Sequence, residues 1–135
     1  MTINVALLRK TLEHITAHPK EWDQGAWAVR ASSGRRSCGT AYCLAGTALV
    51  LDGHRIKWEA GQRESAYLTD GRYIADAARE LLGLDEHEAA ELFSGDNSLR
   101  HLWECASHLT DGEIEIPADL SDRAAMIDVA KWLGF

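Results

Sequence analysis

Apolar residues recur at steps of three and four through Val5, Leu8, Leu12 and Ile15, which predicts an amphipathic helix over residues 3–17, stopped at His18-Pro19. Trp22 and Trp27 follow in a short segment that reads as one or two helical turns, and the glycines and serines of 32–37 predict a loop. From Thr40 to Leu51 the chain is apolar on nearly every side, the pattern of a buried central helix, with Asp52-Gly53 ending it. Gly46 in its interior costs about 1 kcal/mol relative to alanine, so the expected compensation is close approach by another helix. The helical period is lost over 54–74. There Ile56 and Trp58 alternate and Asp70-Gly71 separates Tyr67-Leu68-Thr69 from Arg72-Tyr73-Ile74, predicting a small β-ribbon.

Helical spacing returns with Ile74, Ala77, Ala78, Leu81 and Leu82, stopped by Gly83. Asp85 with Glu88 three residues later predicts a capping box opening a helix that buries Ala89, Leu92 and Phe93. Ser94 to Asn97 is a turn, and Ser98 caps a further helix through Leu109 with Leu99, Leu102, Trp103 and Ala106 inward. Glu113 to Pro117 alternates like a short edge strand, and Ser121 opens a last helix containing Met126, Ala130 and Leu133. The expected fold is mainly α (α+β with minor β), a compact helical domain spanning 1–135 around a buried central helix, with a small β-hairpin.

Composition narrows the class. At 135 residues one domain buries about 68% of its unfolded surface, enough for a self-sufficient core. The chain is 46% hydrophobic and 26% charged, an ordinary globular mixture. Arg9 and Lys10 interrupt any secretory apolar core, and the longest apolar stretch, Leu44 to Leu51, is far too short to span a bilayer. A cytoplasmic protein that does not enter a membrane is expected, its three cysteines reduced. The net charge of -7 divides unevenly: residues 1–60 carry eight Lys and Arg against five Asp and Glu, residues 61–135 six against sixteen. That excess of carboxylates disfavours broad contact with nucleic acid.

The densest chemistry lies in Cys38-Gly39-Thr40-Ala41-Tyr42-Cys43-Leu44-Ala45-Gly46. With a helix starting at Thr40, exposed amides and the helix dipole would lower the thiol pKa of Cys38, the reactive-thiol candidate, which could pair reversibly with Cys43. The Cys-x4-Cys spacing is neither the Cys-x2-Cys of redox motifs nor a usual zinc knuckle. In the structural reading Thr40 starts the helix, Cys43 packs as a small hydrophobe and Gly46 lets a neighbour approach. His101, Cys105 and His108 fall at i, i+4 and i+7, and with Cys38 or Cys43 they are weak candidates for a tetrahedral metal site. The apolar stripe of the same helix favours a boundary position for these side chains. His14, His18, His54 and His87 suggest nothing convergent, and no phosphate loop or serine-nucleophile elbow is present. No catalytic residue, metal or cofactor is therefore assigned.

Helix, Gly83 turn and helix is the outline of a helix-turn-helix reader, but the second helix carries Glu86, Glu88 and Glu91. Those carboxylates would face phosphates, so an ordinary helical hairpin is expected. DNA contact, if made, would use Arg30, Arg35, Arg36 and Lys20, with Arg9 or Lys10.

The Cys-Gly-Thr-x-x-Cys-x-Ala-Gly stretch resembles a loose group of small proteins from actinobacteria and their phages. The likeness extends to Trp27-Ala28-Val29, to the stretch from Asp70-Gly71-Arg72 to Leu84, and to Thr110 through Pro117. The resemblance implies a phage accessory gene product, or a prophage relic, acting in a bacterial cytoplasm. The leading expectation is a non-enzymatic protein that binds a host or phage protein through its acidic second part, with any exposed tryptophan as an anchor. The alternatives are a double-stranded DNA-associated accessory protein using the basic first part, and a thiol- or zinc-dependent protein centred on Cys38 and Cys43.

Overall fold

Leu8, Leu12 and Ile15 line the inner face of the first helix, α1 (Val5–Ala17), as their spacing predicts. Asn4 caps it by accepting a hydrogen bond from the Leu7 amide at 3.2 Å, and Pro19 forbids its continuation. The computed structural model describes residues 2–30 and 40–120. After α1 comes a 3-10 turn, Pro19–Glu21, then β1 (Ala28–Arg30), β2 (Thr40–Tyr42), α2 (Leu44–Leu51), β3 (Glu64–Ser65), α3 (Ile74–Leu82), α4 (Glu86–Phe93) and α5 (Leu99–Leu109). The fold is mainly helical with a small antiparallel sheet in the order β2-β1-β3.

The buried central helix exists but is shorter than expected. It begins at Leu44, and Thr40 to Tyr42 form a strand. Ala28 pairs with Tyr42, Val29 with Ala41 and Arg30 with Thr40. Thr and Tyr suit a pleated ladder, and the partner strand lies across a sequence gap that helical periodicity cannot see. The same pairing corrects the segment at Trp22 and Trp27. Its helical turn lies just before, at Pro19–Glu21, while Trp22 is extended and Trp27 leads directly into β1.

Leu44, Ala45, Gly46, Thr47, Ala48 and Leu49 are all buried in α2, which packs between α1 and α3. One hydrophobic cluster draws on all five described helices, from Leu8 and Leu12 of α1 to Leu102 and Trp103 of α5. Buried polar groups are paired within it. The Trp103 indole N–H donates to Thr16 Oγ1 at 3.0 Å, and that hydroxyl donates to the Leu12 carbonyl at 2.7 Å. Among the described residues no buried side-chain nitrogen or oxygen lacks a partner.

The ribbon over 54–74 forms in reduced shape. Ile56 faces Leu68 and Tyr67 faces Tyr73 in single antiparallel bridges, and Gly71 takes φ +91° at the turn while Asp70 accepts from the Arg72 amide at 3.0 Å. The α3–α4 hairpin follows its sequence signals closely. Gly83 closes α3 in the left-handed conformation at φ +69°, and a Cβ there would stand 2.1 Å from the Thr2 carbonyl oxygen. Asp85 and Glu88 form the full capping box at 2.8 and 2.9 Å. Ser98 caps α5. Glu113 to Pro117, expected as an edge strand, is irregular. Its alternation is met by docking Ile114 alone into the core, its amide donating to Thr110 Oγ1 at 3.1 Å. The last helix expected from Ser121 lies outside the described residues. No helix among the described residues is long and apolar enough to cross a membrane.

Candidate functional site

Cys38, Arg35 and Arg36 lie outside the described residues. Cys43, by contrast, is placed at the N-cap of α2, 1% exposed, with its thiol directed to the Trp27 carbonyl at 3.8 Å. Two effects oppose each other there. The amides of Ala45 and Gly46 favour a thiolate, but loss of water outweighs them and pushes the thiol up to about 11. The helix-start effect reasoned for Cys38 thus acts on Cys43, and burial cancels it.

Cys43 also provides no capping side-chain bond; Gln24 does that work from twenty residues upstream. Its Oε1 accepts from the Leu44 amide at 3.1 Å and from the Trp22 indole N–H at 2.9 Å. Its Nε2 donates to the carbonyls of Leu92 and Ser94, both at 3.0 Å. All four hydrogen-bonding positions of this amide are therefore filled, and one side chain ties α2, the Trp22 segment and the end of α4 together. Gly46 permits close approach, though by a loop and not a helix. A Cβ there would lie 2.3 Å from the Trp27 carbonyl oxygen and 3.0 Å from Tyr42 Cβ. Thr47 completes the seat by donating to the Cys43 carbonyl at 2.8 Å. Thr40, assigned from sequence to the helix start, is the first residue of β2.

Arg30 is engaged locally. Its guanidinium donates to the carbonyls of Gln62 at 2.9 Å and Glu59 at 2.8 Å and lies 4.9 Å above the Trp58 ring, anchoring the 59–63 loop to β1. Lys20 is exposed on the 3-10 turn. On α5, Cys105 Sγ and His101 Nε2 meet at 3.4 Å, and the thiol is raised by burial and by the neighbouring Glu91 and Glu104. His108 is exposed on the same helix. Among the described residues, Cys43, His101, Cys105 and His108 do not form a convergent group of three metal-ligating atoms.

A different set does converge. His14, on the last turn of α1, and His18, its C-cap, stack with ring centroids 4.3 Å apart. The Pro19–Glu21 turn brings Glu21 Oε1 to 3.3 Å from His14 Nε2. One donor atom from each of the three lies within 4.8 Å of the others. This corrects the expectation that these histidines have nothing in common. The available signal was His-x3-His, one helical turn, followed by a proline that folds the next carboxylate back. Beside the cluster opens a cavity of about 640 Å³ lined by His18, Lys20, Glu21, Thr40, Tyr42 and Val50.

A second depression, about 420 Å³, lies along α3 and α4. Trp27 and Phe93, in edge-to-face contact at 6.0 Å, line it with Ala89. Asp76 and Glu86 add two carboxylates and Arg79 one cation. Trp22 and Trp103 are buried and Trp27 and Trp58 half-buried, so no tryptophan among the described residues stands fully exposed. Among the described residues the exposed aromatics are instead Tyr67 and Tyr73, paired at 4.9 Å beside the Asp70-Gly71 turn. Comparison with known proteins yields no matching family model, no matching curated protein and no matching solved structure.

Proposed function

We propose that this chain is a non-enzymatic binding protein whose partner is a protein with a basic segment, received by the α3–α4 groove. The observation that carries the reading is the groove itself: an aromatic floor of Trp27 and Phe93 beside the carboxylates of Asp76 and Glu86. Aromatic floors supply contact area, and carboxylates at the edge select a cationic partner and speed its approach. The sixteen Asp and Glu among residues 61–135 extend the same field. The resemblance to small actinobacterial and phage proteins makes a host or phage protein the natural partner and a phage or prophage accessory role the natural setting.

The DNA reading draws less support, since Arg30 commits two donors to main-chain carbonyls. The thiol reading is weakened at Cys43 by the cost of a buried thiolate. The test is a pull-down from nuclease-treated bacterial lysate with the full chain and with Asp76→Lys/Glu86→Lys. A partner retained by the parent, released by salt and reduced at least about tenfold by the charge reversal is expected, from the several kcal/mol that like-charge contacts cost. A partner indifferent to the reversal, or none at all, overturns the reading.

A further inference from the structure

From the His14, His18 and Glu21 cluster we infer a binding site for a divalent transition metal of the zinc class, with an open coordination position toward the adjoining cavity. Two imidazoles and one carboxylate are a recurring zinc donor set, and imidazole selects such metals over magnesium or calcium. Ligands about 2.1 Å from a tetrahedral centre stand about 3.4 Å apart, and His14 Nε2 and Glu21 Oε1 are 3.3 Å apart. The metal would take the place of the proton now shared along that line. All three donors lie within 4.8 Å, so closing the set asks His18, an exposed side chain, for a shift of about 1.5 Å.

The surroundings hold the donors in position. His18 Nδ1 lies 3.1 Å from the His14 carbonyl; donating there leaves Nε2 as the ring's free lone pair, the arrangement by which a second contact orients a metal-bound histidine. Glu21 is held from both sides, its amide donating to the His18 carbonyl at 3.0 Å and its neighbour Trp22 buried at 3% exposure. Three protein donors leave a fourth position, and the cavity lined by His18, Glu21, Thr40 and Tyr42 lies beside it. A water or a small oxygen-donor ligand fits there, as in zinc sites that keep an exchangeable ligand.

The site is tested on the full chain, under reducing conditions, by calorimetric titration with Zn²⁺ and by the absorption spectrum of the Co²⁺ form. One equivalent is expected to bind. His14→Ala and His18→Ala should each weaken it by at least about tenfold, since losing even a supporting contact costs a metal site that much. Glu21→Gln should weaken it, and His101→Ala should leave it unchanged. Far-ultraviolet circular dichroism confirms that each variant is folded; His18 is exposed, so its replacement does not threaten the core. Absence of binding, binding unaffected by both histidine variants, or a thiolate-to-cobalt charge-transfer band would each overturn the inference.

Discussion

Cys43 and the His14–His18–Glu21 turn are linked through Gln24, which accepts from both the Trp22 indole and the Leu44 amide, yet their environments are opposite. Cys43 is buried, with a raised thiol and neighbours whose buried polar side chains are paired. The histidine turn is at the surface, beside a cavity, with three donor atoms converging. The residue conspicuous in sequence has been absorbed into packing, and inconspicuous ones have been brought together. Reactive residue types acquire chemistry only where solvent, charge and geometry permit it.

The largest effect expected from breaking this contrast is at Gln24. Gln24→Leu strands the Leu44 amide, removes the Trp22 indole's acceptor and takes one of two donors from the Leu92 carbonyl, which keeps Asn97 Nδ2 at 3.3 Å. Buried groups left unpaired cost about 1–3 kcal/mol each, so chemical denaturation should show a loss of about 3–4 kcal/mol. A loss below about 1 kcal/mol would mean that the amide is no hub.

The next effect is a pH dependence at Cys43. Its pKa rises on folding from an ordinary 9.0 to about 11, so folding favours the protonated thiol. That contribution is whole below pH 9 and is lost as pH rises through 11, about 2–3 kcal/mol at full extent. Comparison of Cys43→Ala with the parent across that window isolates it, and peptide mapping after alkylation at pH 8 should find Cys43 unmodified until the chain unfolds.

The smallest effect belongs to the open cluster. Without metal, His14→Ala/His18→Ala should change stability by no more than about 0.5 kcal/mol, because exposed and half-exposed ion pairs contribute little. A larger loss in metal-free buffer would make the cluster part of the scaffold and erase the contrast.

Much of the fold was legible where local chemistry decides. Ser98, the Asp85–Glu88 box and Gly83 act through contacts within a turn or two, so their residue types suffice to locate helix ends. Thr40 to Tyr42 was misread because its strand identity comes from β1, and the Gln24 cap was invisible because nothing local relates residue 24 to residue 44. In the proposed metal site, the convergence of His14 and His18 had a readable spacing, whereas Glu21 joined them only through the course of the Pro19 turn.

By itself the amino-acid sequence determined the existence of the five helices among the described residues and their stops, together with the acidic bias of residues 61–135, because periodicity, caps and charge act locally or by simple addition. Tertiary structure alone decided that Cys43 is buried with its thiol raised, that Gly46 faces the Trp27 carbonyl and that two histidines and a glutamate converge. Desolvation and convergence depend on what the rest of the chain packs around a residue, and that information resides in contacts between residues distant along the chain.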